Sequence, residues 1–473
     1  MRSPCLALVL LVVSHSVFAQ PAEAAPAEET TTPATTVRDE PSFALPALEI
    51  VAFDFLLNRY NRRFSGLHDY DVTLASIRRN LHGPWVVDND PFKVNQFAHP
   101  YQGSLYQGAG RSVGLGYWQS AALTFAGSVA WEIAGEKTPP SRNDQVASGI
   151  AGSFLGEPLF RMAHLALKDG SSVPAAWRPW VAAGLSPAVG LNRLLLGPGH
   201  DDAFADHDPA YYGRLHLGYT HVTRHPFDTP VDFNDNMAQA DFALDYGLPG
   251  KPGYTYDRPF DYFNFRTLFS SANGVESLSV RGLLYGTDYA VGDDYRGLWG
   301  LYANYDYLAP QIFHVSSTSL SLGTTGQWWA TQTLALQGTV LAGLGYGAAS
   351  TTRNPVSTDE EYHYGMASRA GLALRLVKGN RASVDVSARF VSLGRITSRS
   401  GRGRDEVSNV DGSVTWRVHG QHAIGVDYQW SHRSASFPVT GARRQSLGTI
   451  GIYYTMLSRQ GLGAVDWRAS SGQ

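Results

Sequence analysis

Two periodicities divide the chain. From about residue 212 onward apolar and polar residues alternate: Ala238, Ala240, Phe242, Leu244 and Tyr246 interleave with Gln239, Asp241 and Asp245, and Ile424, Val426, Tyr428 and Trp430 with Asp427, Gln429 and Arg433. A period of two places each set on its own face of a strand. The pattern recurs near residues 334–346, 362–376, 384–390 and 450–456. About twelve such runs fit before residue 458, an even number, as in bacterial single-chain barrels. Turn residues at 250–253, 272–274, 378–380 and Gly420 separate neighbours. The expected fold is mainly β, an antiparallel outer-membrane β-barrel of about twelve strands with an α-helical block before it. Trp299, Tyr305, Tyr307, Trp328, Trp329, Tyr428 and Trp430 fall toward strand ends, where aromatic girdles belong. A polar tail, 459–473, leaves the identity of the closing strand open.

Before residue 212 the period lengthens. Residues 113–133 are about long enough to cross a hydrocarbon core of ~30 Å, but Ser120, Thr124, Ser128, Glu132 and Glu136 recur every fourth residue and make a polar stripe. Such a helix needs a partner. After Pro139-Pro140, Asn143 and Asp144 are suited to cap a second helix ending near Lys168, with Gly149, Gly152 and Gly156 on a smooth face and Glu157, Arg161, His164 and Lys168 along a polar edge. Antiparallel pairing would set Glu132 and Glu136 against the basic end of that edge. Pro179 and Pro187 predict that residues 177–196 break into short pieces.

Arg2, the apolar run 6–13 and Val17-Phe18-Ala19 predict a cleaved export signal, residues 1–19. A linker rich in Pro, Ala and Thr, 20–43, would lead to a helical domain, 44–211, read as a plug or docking block, then to the barrel, 212–458. The single cysteine, Cys5, would leave with the signal, so disulfide and thiolate chemistry are excluded. With 38 basic and 41 acidic residues the chain carries no basic footprint for nucleic acid. The partner expected is outer-membrane lipid, with any envelope protein partner left undefined.

Polar side chains concentrate in residues 88–106, read as a loop because Pro100 should push His99 toward extended backbone. His99, Glu132, Glu136 and Asp144 are the candidate acid/base set, and Asp88, Asp90, Asn95, Glu157, Arg161 and His164 the candidate binding set. Structural satisfaction of buried groups is the competing reading. No His-x-x-x-His spacing occurs in this block, so no metal site is assigned there. Ser104, Ser120 or Ser128 could act as a nucleophile, without a Gly-x-Ser-x-Gly elbow to support it. His200, Asp201, Asp202, Asp206, His207 and Asp208 could bind a divalent cation or form a solvated linker; no other cofactor is implied. Asp241, Asp245, Asp385 and Asp427 against Arg369, Arg375, Arg389, Arg417 and Arg433 give the lumen mixed charge, which suits a lumen closed by salt bridges, or one plugged by the helices, better than a selective pore.

Trp85, Asp88 to Phe92, Asn95, His99-Pro100, Gly103, Tyr106, Arg111, Tyr117-Trp118, Trp131-Glu132, Glu136, Asn143-Asp144 and Gly156-Glu157 resemble the bacterial domain-of-unknown-function family 3943. The resemblance implies an exported envelope protein with a helical block before a strand-rich region, and no established activity. Three functions are carried forward: a barrel serving envelope organisation or small-solute passage, a membrane-embedded hydrolase or lipid-modifying enzyme centred on His99, and a soluble periplasmic binding module.

Overall fold

The computed structural model describes residues 42–88, 90–169, 171–197, 208–224, 234–351, 362–397, 403–437, 441–458 and 462–468. The expected export signal, most of the linker and most of the 200–208 cluster lie outside these residues. Asp208, the last of that cluster, accepts from Lys168 at 3.2 Å and also from Lys251.

Twelve antiparallel strands close on themselves. They are β1 (Tyr211–Arg224), β2 (Asn236–Tyr246), β3 (Phe263–Ser270), β4 (Gly274–Val291), β5 (Tyr295–Leu308), β6 (Phe313–Trp329), β7 (Leu334–Thr351), β8 (His363–Lys378), β9 (Ala382–Thr397), β10 (Arg404–His419), β11 (His422–Phe437) and β12 (Gly441–Leu457). Each pairs with its chain neighbours, and β12 closes on β1 with Leu457 opposite Arg214, which settles the closing strand. The end of the barrel holding Tyr211 and Leu457 is called the terminal end below, and the opposite one the far end.

Alternation sorts the side chains as a barrel in lipid requires. Val384, Val386, Ile424, Val426, Ile450 and Ile452 point outward and are exposed. The mixed charges point inward: Arg214 to Asp385 at 3.7 Å, Arg375 to Asp245 at 2.8 Å and Arg266 to Asp411 at 3.4 Å cross the lumen between distant strands, while Arg375 to Asp385 at 2.5 Å and Arg266 to Asp241 at 3.0 Å join neighbouring ones. Toward the far end the lumen fills with apolar side chains, among them Ile312, Phe313, Leu393 and Phe437.

At the terminal end residues 462–468 fold back into the lumen. Gln327 and Trp329 donate to the Val465 carbonyl at 2.6 and 3.0 Å, and Gln337 to the Gly463 carbonyl at 2.6 Å. Leu462 and Trp467 are buried there with Tyr212, Leu248 and Leu457. The segment read from sequence as a polar tail is therefore, over its described part, a lumenal stopper. Its apolar residues are too few and too scattered to give a period. Trp329, expected in a girdle, points inward and holds this stopper.

The helical block comprises α1 (Ala44–Phe64), α2 (Leu74–His82), α3 (His99–Ser112), α4 (Tyr117–Ala134), α5 (Arg142–Asp144), α6 (Gly152–Leu167), α7 (Arg178–Leu185) and α8 (Pro187–Leu196). The π-helical turns Val94–Ala98 and Gln145–Ala151 lead into α3 and α6. The breaks at Pro179 and Pro187 fall where the sequence puts them. Residues 88–106 are not a loop throughout: His99 has helical backbone angles, φ −62 and ψ −48. Pro100 sits in the first turn of α3, where a missing N–H costs little. The wide turn before it absorbs the ring, and Tyr305 on β5 donates to the Gln96 carbonyl at 2.5 Å, supplying the donor that proline lacks.

Small residues let the helices touch. A Cβ on Gly103 would lie 1.9 Å from the Ser148 carbonyl oxygen, and one on Gly152 would lie 2.5 Å from Gly103 Cα, so α3 and α6 meet backbone to backbone. The block is polar inside and apolar outside. On α4, Ser120, Thr124, Ser128 and Glu132 are buried while Trp118 and Phe125 are exposed, and α1 exposes Leu48, Val51, Phe55 and Leu56. No described helix is long and apolar enough to cross a membrane.

The block packs against the outside of the barrel, not inside it. Leu244, Tyr246, Phe265, Val280 and Tyr305 on the outward face of β2 to β5, and Tyr364 at the start of β8, are all buried in one cluster with Phe92, Tyr117, Phe154, Leu155 and Met162. The plug half of the expected plug or docking block is thus corrected: the stripe on α4 turns toward α3 and α6, and the lumen is filled by strand side chains and residues 462–468. Tyr305 and Tyr307, expected in a girdle, lie under the block.

Candidate functional site

Residues 84–100 and 132–148 converge beside the far end of the barrel. A short bridge pairs Val86 with Ser141, which brings the segment before α3 against the start of α5. Asn95 and Asn143 each donate to Asp88 Oδ1 at 2.7 Å, and both reach the Tyr364 hydroxyl on β8, at 2.7 and 3.1 Å. Tyr362 accepts from Gln96 at 3.1 Å. Asp88 is thus held by two amides that are themselves tied to the barrel wall.

His99 faces α6. Its Nδ1 lies 3.1 Å from Ser148 Oγ and its Nε2 3.5 Å from Asp144 Oδ2. Asp144 and Ser148 are four residues apart, one turn on the same helical face. Of the three expected carboxylates Asp144 meets the imidazole, and Glu132 and Glu136 go elsewhere. Glu132 Oε2 accepts from the Ser141 amide at 2.7 Å, while Glu136 accepts from Trp131 at 3.0 Å and from Thr138 at 3.2 Å. Neither is bonded to His99. Burial and the neighbouring Asp88 and Asp69 push Asp90 up to about 6. Burial likewise raises Glu136, against the opposing pull of His99.

Ser148, His99 and Asp144 have the order of a nucleophile, base and acid, but their side chains are sealed: Ser148 is 2% exposed and His99 4%. A carboxyl set that shares hydrogen bonds with amides and the backbone can satisfy a polar interior without chemistry. Among the described residues no three His, Asp or Glu side chains are placed to hold a metal ion.

The other candidate residues form a second group near the terminal end. Glu157 is buried between Arg111 at 2.8 Å and Arg161 at 2.9 Å, and Arg161 continues to Asp261 at 2.9 Å and donates to the Pro259 carbonyl at 2.7 Å. Asp261 belongs to the connection between β2 and β3, so this network ties α3 and α6 to the barrel. It also corrects the expected helix pairing: the basic edge of α6 lies at the opposite end of the hairpin from Glu132 and Glu136, because α4 and α6 run antiparallel. His164 packs edge-on against Phe160, with ring centroids 4.4 Å apart. Beside the network Phe260 adopts φ 65 and sits where a Cβ on Gly282 would come within 2.1 Å of its ring.

Sequence reasoning missed Ser148, Arg111, Asp261, Tyr305 and Tyr364 as members of these groups. Only Ser148 carried a usable signal, its spacing from Asp144; the others depend on which strand meets which helix. On the inner side of the wall a cavity of about 130 Å³ is lined by Arg214, His216, Asp241, Arg281, Asp385 and Asp427 among others, and does not reach His99.

The chain is similar in arrangement to several solved barrels. An outer membrane channel from Pseudomonas putida F1 is 10% identical over 53% of this chain and 96% of its own, with a TM-score of 0.29. The NanC porin is 6% identical over 51% and 98%, at 0.26. The outer membrane channel DcaP of Acinetobacter baumannii is 7% identical over 52% and 96%, at 0.24. No curated protein matches the chain. Residues 84–188, which hold both groups of helical polar residues, match the model of a domain of unknown function, DUF3943.

Proposed function

We propose that this protein is an outer-membrane β-barrel, closed at rest, that holds its helical block in the membrane against its outer wall and so serves envelope organisation. The observation that carries this reading is the burial of outward residues on β2 to β5, with Tyr364 at the start of β8, beneath helices whose own outer surface is apolar, while outward residues farther round such as Leu322, Leu344 and Met366 stay exposed. In water such an arrangement would leave Leu48, Val51, Phe55 and Phe125 unfavourably exposed; in lipid it leaves them solvated and the polar stripes paired. The cross-lumen ion pairs and residues 462–468 argue against an open path for solute. An enzymatic role at His99 would require an opening that exposes Ser148.

Reconstitution tests the reading. In vesicles, Leu48→Cys and Ile452→Cys should resist a water-soluble maleimide that labels the exposed Arg444→Cys at the far end, and the wild-type protein should be silent in a planar bilayer. Removal of residues 459–473 should raise conductance, whereas removal of 42–197 should not. Rapid labelling of Leu48→Cys, or steady conduction by the wild type, would overturn it.

A further inference from the structure

The far end of the helical block carries a basic surface outside both groups of buried polar residues. We infer that it binds the phosphate groups of anionic lipid headgroups, an assignment that rests on the block lying in the membrane. Along α1 the exposed face changes character within one turn: Leu48, Val51, Phe55 and Leu56 give way to Arg59, Arg62 and Arg63. Arg59 lies over the Phe55 ring and Arg63 over that of Phe64, at 5.1 and 5.4 Å, so their stems follow apolar surface while their heads reach the boundary.

Neighbouring segments extend the surface at the same level. Asn58 bonds the Gly135 carbonyl at 2.9 Å, the Lys137 amide donates to the Asp69 carbonyl at 2.6 Å, and Arg79 donates to the Lys137 carbonyl. These contacts gather exposed Arg78, Arg79 and Lys137 beside the arginines of α1. Lys93 donates to the Asn273 carbonyl in the turn between β3 and β4 at 3.4 Å, which fixes this level at the far end of the barrel. The acids sharing the surface are few: Asp71 pairs with Arg62 at 2.8 Å, leaving Asp69 and the half-buried Asp88 and Asp90.

Guanidinium forks match phosphate oxygens, and a cationic rim directly above an apolar wall is the shape of a headgroup boundary. A nucleic acid or acidic protein would be served by the charges alone and gives no reason for the apolar face beneath them.

The test uses the full mature chain in detergent micelles, with dioleoyl phosphatidylglycerol and dioleoyl phosphatidylcholine as probes and native mass spectrometry as readout. Phosphatidylglycerol should bind at least about fivefold tighter, from the attraction of several Arg and Lys side chains to an anionic headgroup. Replacing Arg59, Arg62, Arg63, Arg78 and Arg79 together by Gln should abolish that preference while phosphatidylcholine binding stays unchanged. Arg443→Gln with Arg444→Gln, at the far end of the barrel itself, should keep it. Equal binding of the two lipids by the wild type, or a preference that survives the fivefold replacement, would overturn the assignment. Maleimide labelling of Leu48→Cys in vesicles fails separately: a protected Leu48→Cys without lipid preference removes this inference alone.

Discussion

The barrel has two outer walls built to different rules. On β9 to β12 the outward residues are mainly aliphatic, Val384, Val386, Val414, Ile424, Val426, Ile450 and Ile452, and they are exposed. On β2 to β5 and at the start of β8 the covered positions are rich in tyrosine, with Tyr246, Tyr305, Tyr307 and Tyr364 buried under the helices. A hydroxyl facing hydrocarbon lacks a partner, whereas Tyr305 and Tyr364 find theirs in the Gln96 carbonyl and in Asn95 and Asn143. The difference shows that alternation alone does not say what an outward face meets. Aliphatic side chains tolerate lipid, and the tyrosines of the covered wall differ from exposed ones such as Tyr428 in having hydroxyl partners supplied by another part of the chain.

The largest break in that comparison should come at the network beneath the covered wall. Arg161→Ala removes the cation shared by Glu157 and Asp261 and should weaken docking of the block by about 3–5 kcal/mol. Limited proteolysis would read this as cleavage between residues 42 and 197 while the barrel keeps its heat-modifiable migration. A block as resistant as the wild type would place the docking energy elsewhere.

Overpacking comes next. Gly103→Ala drives a methyl into the Ser148 carbonyl and should cost about 2–3 kcal/mol, seen as a lower unfolding midpoint of the helical signal by circular dichroism. Gly253→Ala is its contrast, because a Cβ there meets nothing within 4 Å; the φ of +75 would then be the sole source of any loss.

Tyr305→Phe should cost about 1–2 kcal/mol by leaving the Gln96 carbonyl without its donor, whereas Tyr428→Phe on the uncovered wall should change stability by less than about 0.5 kcal/mol. Equal effects in chemical denaturation would erase the distinction between the walls.

The smallest effect is with pH. Asp90 is held near 6 against an ordinary 3.8, so folding disfavours its charge. Its contribution to the block's stability should be fully present below about pH 4 and be lost as pH rises from 4 through 6. In Asp90→Asn the midpoint measured from pH 4 to 7 should lose this component; an unchanged slope would assign it to another carboxyl.

What the sequence determined by itself is the part governed by short-range periodicity. A strand repeats every two residues, so Asp241 and Asp245, or Val384 and Val386, declare opposite faces without reference to anything distant. Strand number, the inward charges and the proline-broken helices were legible for that reason, and the residues of the helical family stood together in one stretch. Only the tertiary structure decided what covers each face. Tyr305 reads equally well as a girdle residue or a docking residue, because its surroundings are set by helices some two hundred positions earlier. Glu132 and His99 share a region but not a bond, because antiparallel packing of α4 and α6 gives the imidazole to Ser148 and Asp144 and the carboxylate to the Ser141 amide. The stopper of residues 462–468 has no period and is fixed by backbone carbonyls meeting Gln327, Trp329 and Gln337. Contacts of that kind depend on the closed shape of the lumen, which no local stretch of the chain encodes.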